Sequence, residues 1–344
     1  MTISFVSFSA KPEFFLDDPS FRYRCDNLAY ALRAQGIKSR LEHIESFTAT
    51  ADLSHVVFHR PRYSSRFRRI VRQLDNQGIT VIADFDDLIF DPTYLEFSPA
   101  VLNNVQPRRN IKRRLLSHFE ALQHIRNVTV STSELGRFVR ATFPDVKICV
   151  LQNYMHYDWP YKAVQPNANK RKVLTYFPGT RSHDRDFWQI EDIIAYFLNK
   201  NSDVQLLIIG PLTSRLLELK STQIRHLPKL PFTNYIQAAS NSWVNLLPLE
   251  PTPFNQCKSA IKIIEAGSYN TPTISSPLSD AIRFCGTAAS IAIDQQQWLQ
   301  HLESFLDPKF YLQSSLRIKN EFGHITNSKH MANLFCTSYS VTLP

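Results

Sequence analysis

Apolar positions along the chain alternate between two patterns. Runs rich in β-branched and aromatic residues, at 2–8, 55–60, 79–83, 127–133 and 147–153, predict strands. Between them lie stretches with helical spacing. In 21–36 the apolar positions are Leu28, Ala31 and Leu32, closed by Gly36; 66–77 ends at Gly78; 134–143 follows the fourth strand. Residues 108–126 predict a helix that is apolar at Ile111, Leu115, Leu116, Phe119 and Leu122, with arginines on its other side. After a segment rich in Pro, Asn, Lys and aromatic residues at 156–172 the alternation resumes, with strands at 172–177, 203–211 and 243–249. The run 203–211 is almost continuously apolar, as a parallel strand covered on both faces requires. Strand, helix and strand in succession predict right-handed parallel crossovers, whose sheets carry their chemistry at the carboxyl ends of the strands. The fold class is therefore α/β, and the tail beyond Phe305 is polar and helix-like.

The stretch 255–267 organises the second half. As one continuous helix ended by Gly267, it sets Asn255, Lys258, Lys262 and Glu265 on one face, with Cys257, Ala260, Ile261 and Ile264 beside them. A mostly apolar helix that keeps a row of charges needs partners for them. An ion pair of Lys262 with Glu265 is one answer. The other is a ligand, with phosphates on the two ammonium groups and a helix N-terminus, and hydroxyls on the carboxylate.

Two strand ends in the first half carry further candidates. His59 and Arg60 close the strand at 55–60, and Asp84, Asp86 and Asp87 follow the strand at 79–83. Crowded carboxylates raise one another's pKa, so this trio calls for cations, and Arg60 and Arg62 are at hand. Either Asp86 or Asp87 could equally cap the next helix. Upstream, Arg22 and Arg24 open the helix at 21–36.

Three segments resemble glycosyltransferases of the GT-B fold, similar to family 4. In 255–277 the Glu-bearing helix ends in Ala266-Gly267, turns, and enters a strand through Pro272. The phrase 83–92, Ala-Asp-Phe-Asp-Asp-Leu-Ile-Phe-Asp-Pro, is similar to a segment of bacterial envelope-polysaccharide transferases. The loop Pro178-Gly179-Thr180-Arg181 with Arg185 matches the family's basic donor loop by residue type. The resemblance implies two Rossmann-like parallel-sheet domains facing a central cleft. It assigns residues 1–155 to an acceptor domain, 156–172 to a linker, 173–315 to a donor domain, and 316–344 to a helical tail returning to the first domain. It implies transfer of a sugar from a nucleotide-sugar to a glycan or lipid-linked acceptor, in lipopolysaccharide O-antigen or capsule synthesis. Retention of anomeric configuration and no metal or other cofactor are implied as well. Glu265 would hold the donor ribose, with Arg181, Arg185, Gly210, Asn255, Lys258, Ser259 and Lys262 around the rest of the donor. Arg24 and Arg60 would meet acceptor or phosphate, and Asp87, Asp86 and His59 are the candidates for the base. The family's first glutamate is replaced by Cys257, which leaves the stereochemistry open.

Composition narrows the alternatives. At 344 residues the chain can bury two cores, and an apolar fraction of 43% excludes extensive disorder. No apolar run is long enough for a bilayer span and no leader pattern opens the chain, so a cytoplasmic location is expected. The five cysteines are scattered without metal-ligand spacing and read as core residues. A net charge of +9 calls for an anionic partner. Arginine clusters at 60–72 and 108–114 would let the first domain touch an anionic membrane at its inner face. Without interleaved aromatics or a recognised motif, nucleic acid is not expected. Two other functions stay open: a sugar epimerase or CMP-sugar transferase on the same fold, which donor preference would reveal, and a basic nucleic-acid or membrane-binding protein, which salt dependence would reveal.

Overall fold

A computed structural model describes residues 1–159, 165–167, 169–218 and 221–342, so the linker expected over 156–172 lies partly outside the described residues. The first half builds a sheet from β1 (Thr2–Ser7), β2 (Lys38–His43), β3 (Leu53–His59), β4 (Thr80–Phe85), β5 (Asn127–Val130) and β6 (Lys147–Val150), in the order β2-β1-β3-β4-β5-β6. The second half builds another from β7 (Val173–Tyr176), β8 (Gln205–Ile209), β9 (Ile224–Leu227), β10 (Val244–Leu247), β11 (Thr273–Ser275) and β12 (Ala289–Ile291), in the order β12-β11-β10-β7-β8-β9. Every pairing is parallel. In each sheet the order reverses, beside β1 in the first and beside β7 in the second, which opens a crevice at the carboxyl ends.

The strand cores follow the two-residue period. On β3, Val56 and Phe58 pack with Phe67, Val71 and Leu74 of helix Ser65–Asn76, while Val57 joins Ile3, Phe5 and Leu28 on the opposite face. The sequence pattern missed β2, β9 and β12. All three lie at sheet edges, where one flank is solvated and the apolar run that marks an inner strand is not needed.

Two predicted helices are broken, and both breaks matter for the site. In 21–36 a π turn, Arg22–Asp26, separates Pro19–Phe21 from Asn27–Arg33. The wider turn lets three successive side chains, Tyr23, Arg24 and Cys25, all face inward. The stretch 255–267 is two helices, Pro253–Gln256 and Ile261–Gly267, with an irregular link between them. Gly267 does not terminate the second helix through a left-handed conformation. It is there because a Cβ would lie 2.4 Å from the Phe322 ring, and the left-handed residue is Asn270, at φ 55°.

Phe322 belongs to helix Pro308–Ile325, which packs on the second domain. The next helix, Ser328–Tyr339, packs on the first through Met331, Ala332 and Phe335. His55 Nε2 lies 2.9 Å from the Tyr339 carbonyl oxygen, and the Tyr339 hydroxyl donates to the Val128 carbonyl at 3.0 Å. The crossing thus falls at the junction of the two helices, where Asn327 caps the second, and not at residue 316, which lies inside the first. Among the described residues no helix is long and apolar enough to cross a membrane.

Candidate active site

The carboxyl ends of β3 and β4 meet in a closed charge network. Asp84, at the end of β4, is 2% exposed and accepts from Arg24 Nη2 at 2.6 Å and from Thr129 Oγ1 at 2.7 Å, while His59 Nδ1 lies 2.8 Å away. Burial alone would raise its pKa, but the Arg24 guanidinium and then His59 outweigh burial and hold the carboxyl well below the usual range. The other Arg24 donors go to the Leu151 carbonyl and to Asn153 Oδ1. Arg24 is 3% exposed and fully committed, so it does not reach acceptor or phosphate. His59, 2% exposed, is likewise no base for an acceptor, because its Nε2 lies 2.8 Å from Ser20 Oγ beneath the Phe21 ring. Cys25, His59 and Asp84 put potential metal-ligand atoms within 4.8 Å of one another, but Arg24 and Thr129 already take the Asp84 oxygens.

Asp86 and Asp87 lie further out and share one cation. Arg60 Nε donates to Asp86 Oδ1 at 2.6 Å and Nη2 to Asp87 Oδ2 at 2.8 Å. Arg60 holds this position with φ 49°, a strained conformation for a side-chain-bearing residue. Burial would raise the Asp86 pKa, but Arg60 outweighs it and keeps the carboxylate ionised and weakly basic. The trio's partners within the first domain are therefore Arg24, His59 and Arg60; Arg62 stays exposed. Neither Asp86 nor Asp87 caps the next helix, which takes its cap from Asp91.

Across the cleft, Glu265 is 5% exposed and held by three donors: Lys262 Nζ at 2.7 Å, the Tyr235 hydroxyl at 2.5 Å and, from the first domain, the Tyr23 hydroxyl at 3.1 Å. Tyr23 in turn accepts from Trp159 Nε1 at 2.7 Å. The crevice beside Glu265, lined by Phe177, Tyr235, Ser242, Asn245 and Lys262, is filled by these side chains. The ion pair expected as one alternative is thus present, and the hydroxyls on the carboxylate are the protein's own.

The break in 255–267 redistributes the remaining candidates. Lys258 lies in the irregular link, its Nζ 3.9 Å from Asp87 Oδ1 of the first domain. Ser259 accepts from Asn153 Nδ2 at 2.7 Å, another contact between domains. At the two helix starts one N–H each is already taken, the Ala260 N–H donating to Asp280 at 2.8 Å and the Asn255 N–H to Thr252 at 3.1 Å. Asn255 turns away from Lys262 and Glu265, its Nδ2 donating to Asp186 Oδ1 and to the Glu250 carbonyl, each at 3.0 Å. Arg185 is paired with Glu250 at 2.5 Å, whereas Arg181 is exposed in the loop after β7. Gly210, at φ 124°, serves a close backbone approach: a Cβ would meet the Pro178 carbonyl oxygen at 2.0 Å. Cys257, where the family's first glutamate would stand, is buried with Phe254 in the core of the first domain, and its carbonyl accepts from Thr132 Oγ1 at 2.9 Å.

Tyr23, Tyr235 and His183 belong to this site and were not found from the sequence. No spacing rule marks them: Tyr23 is turned inward by a π turn, Tyr235 comes from helix Phe232–Ala239, and His183 ends the short helical turn Arg181–His183. Only the aromatic phrase around Tyr235 and the basic loop ahead of Arg185 drew notice to their neighbourhoods.

No family model and no curated protein sequence matches the chain. Solved structures do. A glycosyltransferase from Rickettsia africae superposes with a TM-score of 0.62 at 11% identity, over 98% of this chain and 97% of that one. Anabaena HepE in complex with UDP gives 0.61 at 11%, over 99% and 100%. An α-glucosyltransferase bound to UDP-glucose and DNA with an abasic site gives 0.64 at 10%, over 98% and 99%. The chain has the GT-B fold. In a GT-B protein two Rossmann-like domains face each other across a cleft, and here the ends of β3 and β4 on one side meet Lys258 on the other.

Proposed function

We propose that this protein is a glycosyltransferase that moves a sugar from a uridine diphosphate sugar to a glycan or lipid-linked acceptor, in the synthesis of a bacterial envelope polysaccharide such as O-antigen or capsule. The observation that carries this reading is the Glu265 carboxylate. It lies buried between the domains with a hydroxyl on each oxygen, Tyr23 on one and Tyr235 on the other, a geometry suited to the two hydroxyls of a ribose. A donor would exchange its diol for these phenols. Lys258 and exposed Arg181 would meet the diphosphate, and their charge would stabilise the leaving group without a metal. The GT-B neighbours found with UDP or UDP-glucose support a uridine donor.

The acceptor would enter from the first domain. A cavity of about 500 Å³, lined by Ser9, Lys11, Phe14, Asp17 and Asp18, opens beyond the end of β1, and Asp86 and Asp87 follow β4, two strands away in the same sheet. Retention of configuration is the outcome favoured by the resemblance to family 4. The basic helix Arg108–Leu122 would bring this face to an anionic membrane when the acceptor is lipid-linked.

The test is melting temperature and calorimetry with UDP, GDP and CMP added separately. Stabilisation by UDP above the other two supports the reading, because a ligand that binds only the folded state raises its stability. No response to any nucleotide would end it. Turnover of UDP-sugars should fall in Asp87→Asn with UDP affinity retained.

A further inference from the structure

The loop that follows β7 carries an imidazole held by a carboxylate. His183 Nδ1 lies 2.8 Å from Asp186 Oδ2. Asp186 is 3% exposed and cannot turn, because its other oxygen accepts from the Glu250 N–H at 2.8 Å and from Asn255 Nδ2 at 3.0 Å. The loop is fixed against the first domain as well: Asn103 donates to the Ser182 carbonyl at 2.9 Å and accepts from the Arg185 N–H at 3.0 Å. The Tyr176 hydroxyl donates to the His183 carbonyl at 3.1 Å.

This arrangement sets the tautomer. An ionised carboxylate only accepts, so the Nδ1 proton belongs to the bond with Asp186, and Nε2 of the neutral ring carries a lone pair. The ring feels two charges from other elements, the Lys258 ammonium of the second domain and the Asp87 carboxylate of the first. Burial, and after it the Lys258 ammonium, lowers the imidazole pKa from its ordinary value, so the ring is neutral at pH 7. Asp86 and Asp87, by contrast, are engaged by Arg60, and His59 is sealed beneath Phe21.

We propose that His183 is the group that takes the proton of the acceptor hydroxyl, with Asp186 as its positioning residue. The inference rests on the glycosyltransferase reading and adds a residue to it. As the acceptor oxygen bonds to the anomeric carbon, the bond from that carbon to the phosphate oxygen breaks. Its electron pair leaves with the nucleoside diphosphate, and the hydroxyl proton passes to Nε2. His183 and Lys258 both belong to the second domain.

The experiment uses the full chain, with UDP-glucose, UDP-galactose and UDP-N-acetylglucosamine as donors and water as the acceptor probe, following UDP release. UDP affinity is measured in parallel by calorimetry. In His183→Gln, kcat falls by about 10²- to 10⁴-fold, the usual contribution of a general base. UDP affinity and melting temperature stay close to wild type. In the wild type, activity rises with pH through the His183 pKa, on a limb lying below the ordinary histidine range. That limb disappears in His183→Gln and moves in Asp186→Asn. A His183→Gln enzyme within threefold of wild-type kcat, or one that keeps the acid limb, would overturn the proposal. A wild-type protein that binds no UDP would instead overturn the glycosyltransferase reading, so the two failures are distinct.

Discussion

Asp84 and Glu265 are both buried carboxylates at the edge of the cleft, each held by three partners, yet they are held in different ways. The partners of Asp84 are Arg24, His59 and Thr129, all from its own domain and all buried. Those of Glu265 are one lysine and two phenols, and one phenol, Tyr23, comes from the opposite domain. A guanidinium locked inside one domain stays paired whatever enters the cleft, whereas a hydroxyl that reaches across the cleft is the one the proposed ligand would displace. A shared residue type at a shared depth therefore sits in two different settings, closed within one domain at Asp84 and bridging two at Glu265, where a binding role is proposed.

That contrast can be broken by mutation. The largest effect is expected from Asp84→Asn, which leaves Arg24 buried without its counter-charge. Losing one partner of a buried pair costs about 3–5 kcal/mol, read by denaturant unfolding. Because the folded-state pKa of Asp84 is depressed, its contribution is present above the unfolded pKa of about 3.9 and is lost as pH falls below it. The gap between wild type and Asp84→Asn should therefore narrow in acid. A gap that widened there would contradict the ion-pair account.

Next in size is Glu265→Ala. Each hydrogen bond to a charged group contributes about 1.5–3 kcal/mol, so loss of two to a ribose weakens UDP binding by at least about a hundredfold in calorimetry. An unchanged dissociation constant would move Glu265 to the structural side of the comparison. Tyr235→Phe removes a hydroxyl that competes with the ligand and leaves the free protein's carboxylate short of a donor. UDP should bind more tightly, by up to about tenfold, the worth of one ordinary hydrogen bond. Weaker binding would show that Tyr235 contacts the nucleotide. The smallest effect is reserved for the exposed pair of Lys172 with Asp203, at 2.7 Å. Lys172→Ala should shift stability by less than about 1 kcal/mol, which calibrates the buried cases.

Much of this was legible before any coordinates. Strand–helix alternation marked two parallel sheets, whereas the row of Asn255, Lys258, Lys262 and Glu265 expected on one helix is divided by the break before Ile261. Period and residue type carry that information because an inner parallel strand must be apolar on both faces. Edge strands escaped because their solvated flank permits polar residues. The partners of Arg24, His59, Asn255 and Gly210 escaped for a different reason. A sequence shows that a residue is polar or small, but not which group already satisfies it, and in each case the partner lies far along the chain or across a loop.

The sequence by itself determined that this chain forms two α/β layers with charged residues at the strand ends, since burial periodicity is a local property. Only the tertiary structure decided which charges are spent and which are exchangeable. A π turn at Arg22–Asp26 and a break between Gln256 and Ile261 rotate side chains out of the faces that helical spacing assigns them. Contacts closed across 25 to 60 residues then fix Asp84 within its own domain, while Glu265 is held in part by Tyr23, 242 residues away in the opposite domain.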